Sequence, residues 1–139
     1  TQAATAAAAL AAADPPRAAQ YAANLAAVQD SLAALDRELT ALLAPYRGRA
    51  FAVFHPAFGY FARDYGLAQV AIEAGGVPTI FAESSQPDRL VQVLASEANV
   101  HVEVVELFTE SLTEPGGGAE NYLAMMRTNT DRIAAGLTP

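Results

Sequence analysis

Apolar side chains at Tyr21, Leu25, Val28, Leu32, Leu35, Leu39 and Leu42 recur at alternating spacings of four and three, which makes a single stripe on one helix. The stripe predicts a helix running to about Ala44, some thirty residues and roughly 45 Å long. Asp14 is placed to cap it, and Pro15 and Pro16 suit its first turn, where the N–H that proline lacks has no intrahelical partner to lose. Residues 1–13 are nearly all alanine and predict another helix ahead of it. A coiled-coil seam would give the same stripe, but the flanking positions are alanine-rich and lack the paired charges of such a seam. The rod is longer than a small domain needs and reads as a strut.

After "PYRGR" the pattern changes to short apolar runs alternating with helical spacing. "AFAVF" (50–54), "LAQVAI" (67–72), "VPTIFAE" (77–83) and "VHVEVVEL" (100–107) read as strands, the last with Val100, Val102 and Val104 on one side. Residues 56–65, with Phe58, Phe61 and Tyr65 in phase, read as a helix. So do 84–98, with Leu90, Val93 and Leu94 inward, and 121–137, with Tyr122, Met125, Met126, Asn129 and Ile133 as inward candidates. Such alternation predicts an α/β fold: an open, mostly parallel four-stranded sheet with flanking helices, a Rossmann-like lobe preceded by one long helix. The expected division is 1–46 for the helices and 47–139 for the lobe.

One junction departs from that plan. Only "EAGG" separates the second and third strands, whereas a parallel crossover takes about a dozen residues. Either Gly75 and Gly76 turn an antiparallel hairpin, or a crossover helix is missing between Gly76 and Val77. The second reading is preferred, and it predicts a Cα separation there well beyond the ~3.8 Å of a trans peptide.

Charge narrows the partners. Fifteen acidic groups face eight basic ones, all arginine, and the net charge of -7 argues against nucleic acid or an anionic membrane and favours a cation. The absence of cysteine removes disulfides, thiolate catalysis and sulfur-ligated zinc. No apolar run reaches the ~20 residues of a membrane span, and the first residues do not read as a leader, so the expectation is a cytosolic protein or a signal segment lying upstream.

Three residues are candidates for chemistry. His55 follows the first strand and Glu110, within "LFTESL", follows the last, both at the carboxyl edge where open α/β sheets hold ligands. Glu83 ends the third strand in "FAESS", which also reads as a plain helix start. His55 alone would equally suit a core or capping role, and Glu110 a solvated loop. His101 reads as structural or exposed, and "PGGG" as a flexible turn without the lysine of a phosphate loop. One imidazole and one or two carboxylates at one edge make a partial site for a divalent transition metal, short of the four donors, or three and a water, that tight binding takes.

In order and spacing, "FHPAFGYFARDYGL", "VPTIFAESS", "LFTESL" and "NYLAMMRTNTDRIAAGL" resemble the carboxy-terminal lobe of the TroA-like zinc- and manganese-binding receptors of bacterial ABC transporters. Residues 1–44 resemble that family's long backbone helix and the helix before it. The resemblance implies a non-enzymatic, extracytoplasmic (periplasmic or cell-surface) receptor that captures Zn²⁺ or Mn²⁺ between two lobes and delivers it to a membrane permease. It implies His55 and Glu110 as metal ligands, Glu83 behind them, and two further histidines from a first lobe absent from this sequence. Glu110 stands where aspartate is usual, and Pro56 where aspartate or glycine is commoner. Three histidines and one carboxylate would tilt the site slightly to zinc. The alternatives are an α/β enzyme using His55 with Glu83 or Glu110 as acid and base, and a helical interaction module built on 16–44.

Overall fold

A computed structural model describes residues 2–53, 58–70, 79–83 and 103–138. The chain divides into two compact units, Thr1–Glu38 and Leu39–Pro139. In the first, α1 (Gln2–Ala13) is followed by a 3₁₀ turn (Pro15–Arg17), after which α2 (Ala18–Leu43) begins. Asp14 does not cap the turn through its side chain. Its carboxylate accepts instead from the Arg17 guanidinium and from the Tyr21 hydroxyl at 2.9 Å, which holds the Tyr21 phenol above its ordinary range. The predicted stripe is only partly used. Leu35 and Leu39 are buried, whereas Val28, Leu32 and Leu42 are exposed, and at the end of the helix it is Leu43, outside the predicted stripe, that is buried. Among the described residues, no helix is long and apolar enough to cross a membrane.

The second unit contains β1 (Ala50–Val53), α3 (Gly59–Tyr65), β2 (Ala68–Val70), β3 (Thr79–Glu83), β4 (Glu103–Leu107) and α4 (Tyr122–Leu137). The four strands form one sheet in the order β2-β1-β3-β4, and every pair is parallel. Apolar strands without polar alternation are what such a sheet needs, and all five residues of β3 are buried. α3 ends at Gly66, whose φ of 75° lies in the left-handed region that glycine enters without a Cβ penalty, and Leu67 N–H closes onto the Ala62 carbonyl at 2.8 Å.

This order removes the hairpin alternative. β2 and β3 both run parallel to β1 and lie on opposite sides of it, so eight residues, 71–78, connect two parallel strands. The predicted break at Gly76 and Val77, the helix over 84–98 and His101 lie outside the described residues.

Leu43, Phe51, Val53, Phe58, Ala62, Leu67, Phe81, Leu107, Ile133 and Leu137 form the core. Phe51 meets Phe81 with ring centroids 4.9 Å apart and Phe58 edge-on at 6.2 Å. On β4 it is Val105 and Leu107 that pack on this core, while Val104 is exposed. α4 behaves as its pattern predicts at Asn129 and Ile133, but Tyr122 is 53% exposed because it opens the helix, beyond the packed stretch. The helix is capped by Asn121, whose side chain accepts from Ala124 N–H at 3.0 Å.

α4 comes close to β3 at Gly136, whose carbonyl accepts from the Thr79 hydroxyl at 2.7 Å. A Cβ there would lie 2.9 Å from Thr79 Cγ2 and 3.0 Å from the Phe81 ring. Alanine in a helix ordinarily gains up to about 1 kcal/mol over glycine, but forcing a methyl against a buried strand costs about 1–3 kcal/mol. Gly136→Ala is therefore expected to lower the urea midpoint of unfolding, and a raised midpoint would contradict this packing.

Candidate metal site

In the order β2-β1-β3-β4 the chain leaves β1 toward one side of the sheet and places β3 on the other, so the switch of direction falls between β1 and β3. Open α/β sheets bind ligands in the crevice beyond the carboxyl ends at that point. Parallel pairing puts the carboxyl ends of β1, β3 and β4 at one edge, with Val53 level with Phe81 and Glu83 level with Leu107. The spacing of adjacent strands, about 4.8 Å, sets β1 and β4 roughly 10 Å apart with β3 between them.

Glu83 is the last residue of β3 and is buried, 7% exposed. Glu110 follows β4 by three residues and is exposed. His55 follows Val53 by two residues and lies outside the described residues. The structure thus brings the two carboxylates' strands to one edge side by side. Among the described residues no group of three or more His, Asp or Glu side chains assembles into a metal site. Imidazole and carboxylate without thiolate suit a borderline or harder divalent cation such as zinc or manganese.

The segment carrying Glu110 is tied down from both sides. Phe108, the first residue beyond β4, gives its N–H to Asn129 Oδ1 at 2.8 Å and receives Asn129 Nδ2–H on its carbonyl at 2.7 Å. These two bonds fix which way the Asn129 amide faces. Asn129 itself is 1% exposed. One turn further along α4, the Arg132 guanidinium donates to the Glu106 carbonyl at 2.8 Å and lies 4.5 Å over the Phe108 ring. Between Phe108 and Glu110, the Thr109 hydroxyl is buried and has no hydrogen-bond partner among the described residues.

Beyond Glu110 the glycine-rich stretch is a bonded loop, where the sequence reading predicts a flexible turn. The Glu120 carboxylate accepts from Gly116 N–H at 2.8 Å and Gly118 N–H at 3.1 Å, and the Thr128 hydroxyl donates to the Gly118 carbonyl at 2.6 Å. Thr113 N–H donates to the Ala119 carbonyl at 3.0 Å, and Ala119 N–H returns to the Thr113 hydroxyl at 3.1 Å. The backbone N–H groups, with Glu120's own first, hold the Glu120 carboxyl below its ordinary value. A depressed carboxylate contributes stability in full above its unfolded value and loses it as pH falls through the lower folded value. The Gly116 and Gly118 amides are accordingly expected to lose hydrogen-exchange protection as the solution is acidified below about pH 4. In Glu120→Gln that acid-dependent loss should vanish, and an unchanged acid dependence would contradict the assignment.

Comparison with known proteins fits this arrangement. The family described as ZnuA, zinc-uptake complex component A, periplasmic, matches residues 1–75 and 71–136. The high-affinity zinc uptake system protein ZnuA of Paracoccus denitrificans is 48% identical over 67 residues, 48% of this chain and 21% of that protein. The manganese ABC transporter substrate-binding lipoprotein PsaA of Streptococcus mitis is 30% identical over 151 residues, 92% of this chain and 48% of that protein. The solved structure of the periplasmic zinc binding protein TroA from Treponema pallidum superposes with a TM-score of 0.81 at 26% identity, covering 96% of this chain and 58% of that one. The chain therefore spans roughly half or less of the length of these relatives. The PsaA alignment has 151 positions, yet 92% of 139 residues is about 128, so about 23 positions of that relative face no residue here. With both halves of the sequence matched and the four-stranded parallel sheet shared with TroA, the chain belongs to the ZnuA family of periplasmic zinc-uptake components.

Proposed function

We propose that this chain is the carboxy-terminal, metal-holding part of an extracytoplasmic receptor that captures Zn²⁺ or Mn²⁺ and passes it to an ABC permease. The observation that carries this reading is the sheet order, which sets the carboxyl ends of β1, β3 and β4 together at the ligand edge of a family member. His55 and Glu110 are the proposed ligands from this edge: the imidazole through a neutral ring nitrogen, the carboxylate through one or two oxygens. Glu83, buried between them in the strand order, is proposed to support the ligands from behind. The remaining donors, two histidines, are proposed to come from a first lobe outside these residues. A net charge of -7 raises the local concentration of cations and speeds their encounter. Three histidines with one carboxylate favour zinc over manganese.

We also infer that the β2–β3 connection is shortened relative to the family. Eight residues join two parallel strands that lie on either side of β1, the family matches in two pieces that meet at 71–75, and about 23 positions of PsaA have no counterpart. That number is close to a crossover helix with its loops.

The test is a titration of the chain with zinc and with manganese while its thermal unfolding is followed. A ligand that binds only the folded state stabilises it by about 2.7 kcal/mol at a hundredfold excess over Kd. The expected result is a melting temperature that rises with zinc, at lower concentrations than with manganese. No rise with either metal into the millimolar range would overturn the reading.

A further inference from the structure

We infer that Asn129 is the positioning residue for the Glu110 ligand, acting through the backbone of Phe108. This rests on the proposed role of Glu110 and deepens it. A strand end is held by its ladder only as far as pairing extends, and among the described residues β4 pairs with β3 as far as Leu107. Phe108 follows the last pair of that ladder among the described residues, and its N–H and carbonyl are both taken by one buried amide on α4, at 2.8 and 2.7 Å. A primary amide offers a donor and an acceptor in one plane, as the edge of a strand does, so Asn129 stands in for a further strand residue and extends the fixed backbone by one position. Glu110 then follows only two residues beyond a clamped peptide, so its carboxylate starts from a defined place before any metal arrives.

Thr130 and Arg132 do not do this, and the Thr128 hydroxyl bonds the loop only further on, at the Gly118 carbonyl. Thr130, fully buried beside Asn129, spends its hydroxyl on the Met126 carbonyl of its own helix at 2.7 Å. Arg132 holds Glu106, which the ladder already fixes. An apolar residue at position 129 would fill the same space and leave two partly buried backbone groups of Phe108 without the Asn129 amide, an arrangement proteins avoid. Asn129 is thus the α4 residue that holds the peptide next after Leu107, on the near side of Glu110, while Thr128 ties the far side of the loop at Gly118.

The test uses the 139-residue chain and zinc as the probe. Asn129→Asp keeps an acceptor for Phe108 N–H and loses the donor to its carbonyl. Asn129→Leu loses both, and Thr130→Val controls for loss of a buried hydroxyl on the same helix. Removing an outer partner of a ligand costs about 10–100-fold in metal affinity. That drop is expected in both Asn129 variants and not in Thr130→Val. In a Glu110→Ala background, Asn129→Asp should weaken zinc no further, because the residue acts through Glu110. An equal loss with and without Glu110 would show a general structural role and overturn the inference. Unchanged affinity in folded Asn129→Asp would do so as well. If Glu110→Ala alone leaves zinc binding untouched, the ligand assignment itself fails. The unaltered protein provides a readout that does not depend on any variant folding. The Phe108 amide should exchange as slowly as the β4 ladder with and without zinc, and exchange at open-loop rates in the metal-free protein would overturn the clamp.

Discussion

Alanine at Glu110 or at His55 is expected to weaken zinc binding by more than about 100-fold, above the 10–100-fold that follows loss of an outer-shell partner. The size follows from how few donors this edge supplies. A tetrahedral zinc site uses four donors, or three and a water, and the two proposed here are half of that set. Losing either leaves a single protein ligand, and a single imidazole or carboxylate holds a hydrated divalent cation only weakly. The two single losses should be far from additive, since one remaining donor has little left to lose. Metal-free stability is a necessary companion measurement. Glu110 is exposed, so Glu110→Ala should melt within about 0.5 kcal/mol of the parent. A large fall in metal-free stability for that variant would signal a structural role and contradict the ligand assignment.

Phe81→Ala is the second large effect expected, at about 3–5 kcal/mol of lost stability. Phe81 is 1% exposed, sits centrally on β3 between β1 and β4, and packs its ring against that of Phe51, tilted, with centroids 4.9 Å apart. Its ring also lines the place where Gly136 brings α4 onto the sheet. Removing it opens a cavity beneath strands that cannot collapse without breaking the β1–β3 and β3–β4 ladders. Since β3 carries Glu83 at its end, zinc binding should weaken along with stability. Chemical denaturation reports the first and titration the second. A loss under about 1 kcal/mol would mean that the core lies elsewhere.

The alternation of apolar runs with helical spacing made the parallel sheet legible, because buried parallel strands are apolar on both faces and helices carry their own period. The order of the strands was not legible. It depends on which edge each crossover takes, and the short 71–78 connection left both a hairpin and a crossover open until the pairing of β1 with β2 and with β3 decided it. The stripe on α2 predicts burial by residue type, yet Val28 and Leu32 are exposed where Leu35 and Leu39 are buried, since periodicity names a face and not its cover.

At the site, the carboxyl-edge location of Glu83 and Glu110 follows from strand order and could be read from sequence as a position. Burial of Glu83 could not, because an acid before two serines carries the same signal as a helix start. Asn129 was legible as an inward residue, from its phase with Ile133. Its partners were invisible, since they are main-chain groups of Phe108 and every residue type carries the same ones. The Glu120 clasp on Gly116 and Gly118 was hidden for the same reason, and so the loop read as a flexible turn.

An imidazole after β1 and a carboxylate after β4 are proposed to meet on one cation. Anomalous diffraction at the zinc edge, from crystals of this chain grown with zinc, tests it most directly. A peak is expected about 2.0–2.1 Å from a ring nitrogen of His55 and about 2.0–2.2 Å from a carboxylate oxygen of Glu110. A zinc peak bound by other side chains, with His55 and Glu110 both clear of it, would contradict it.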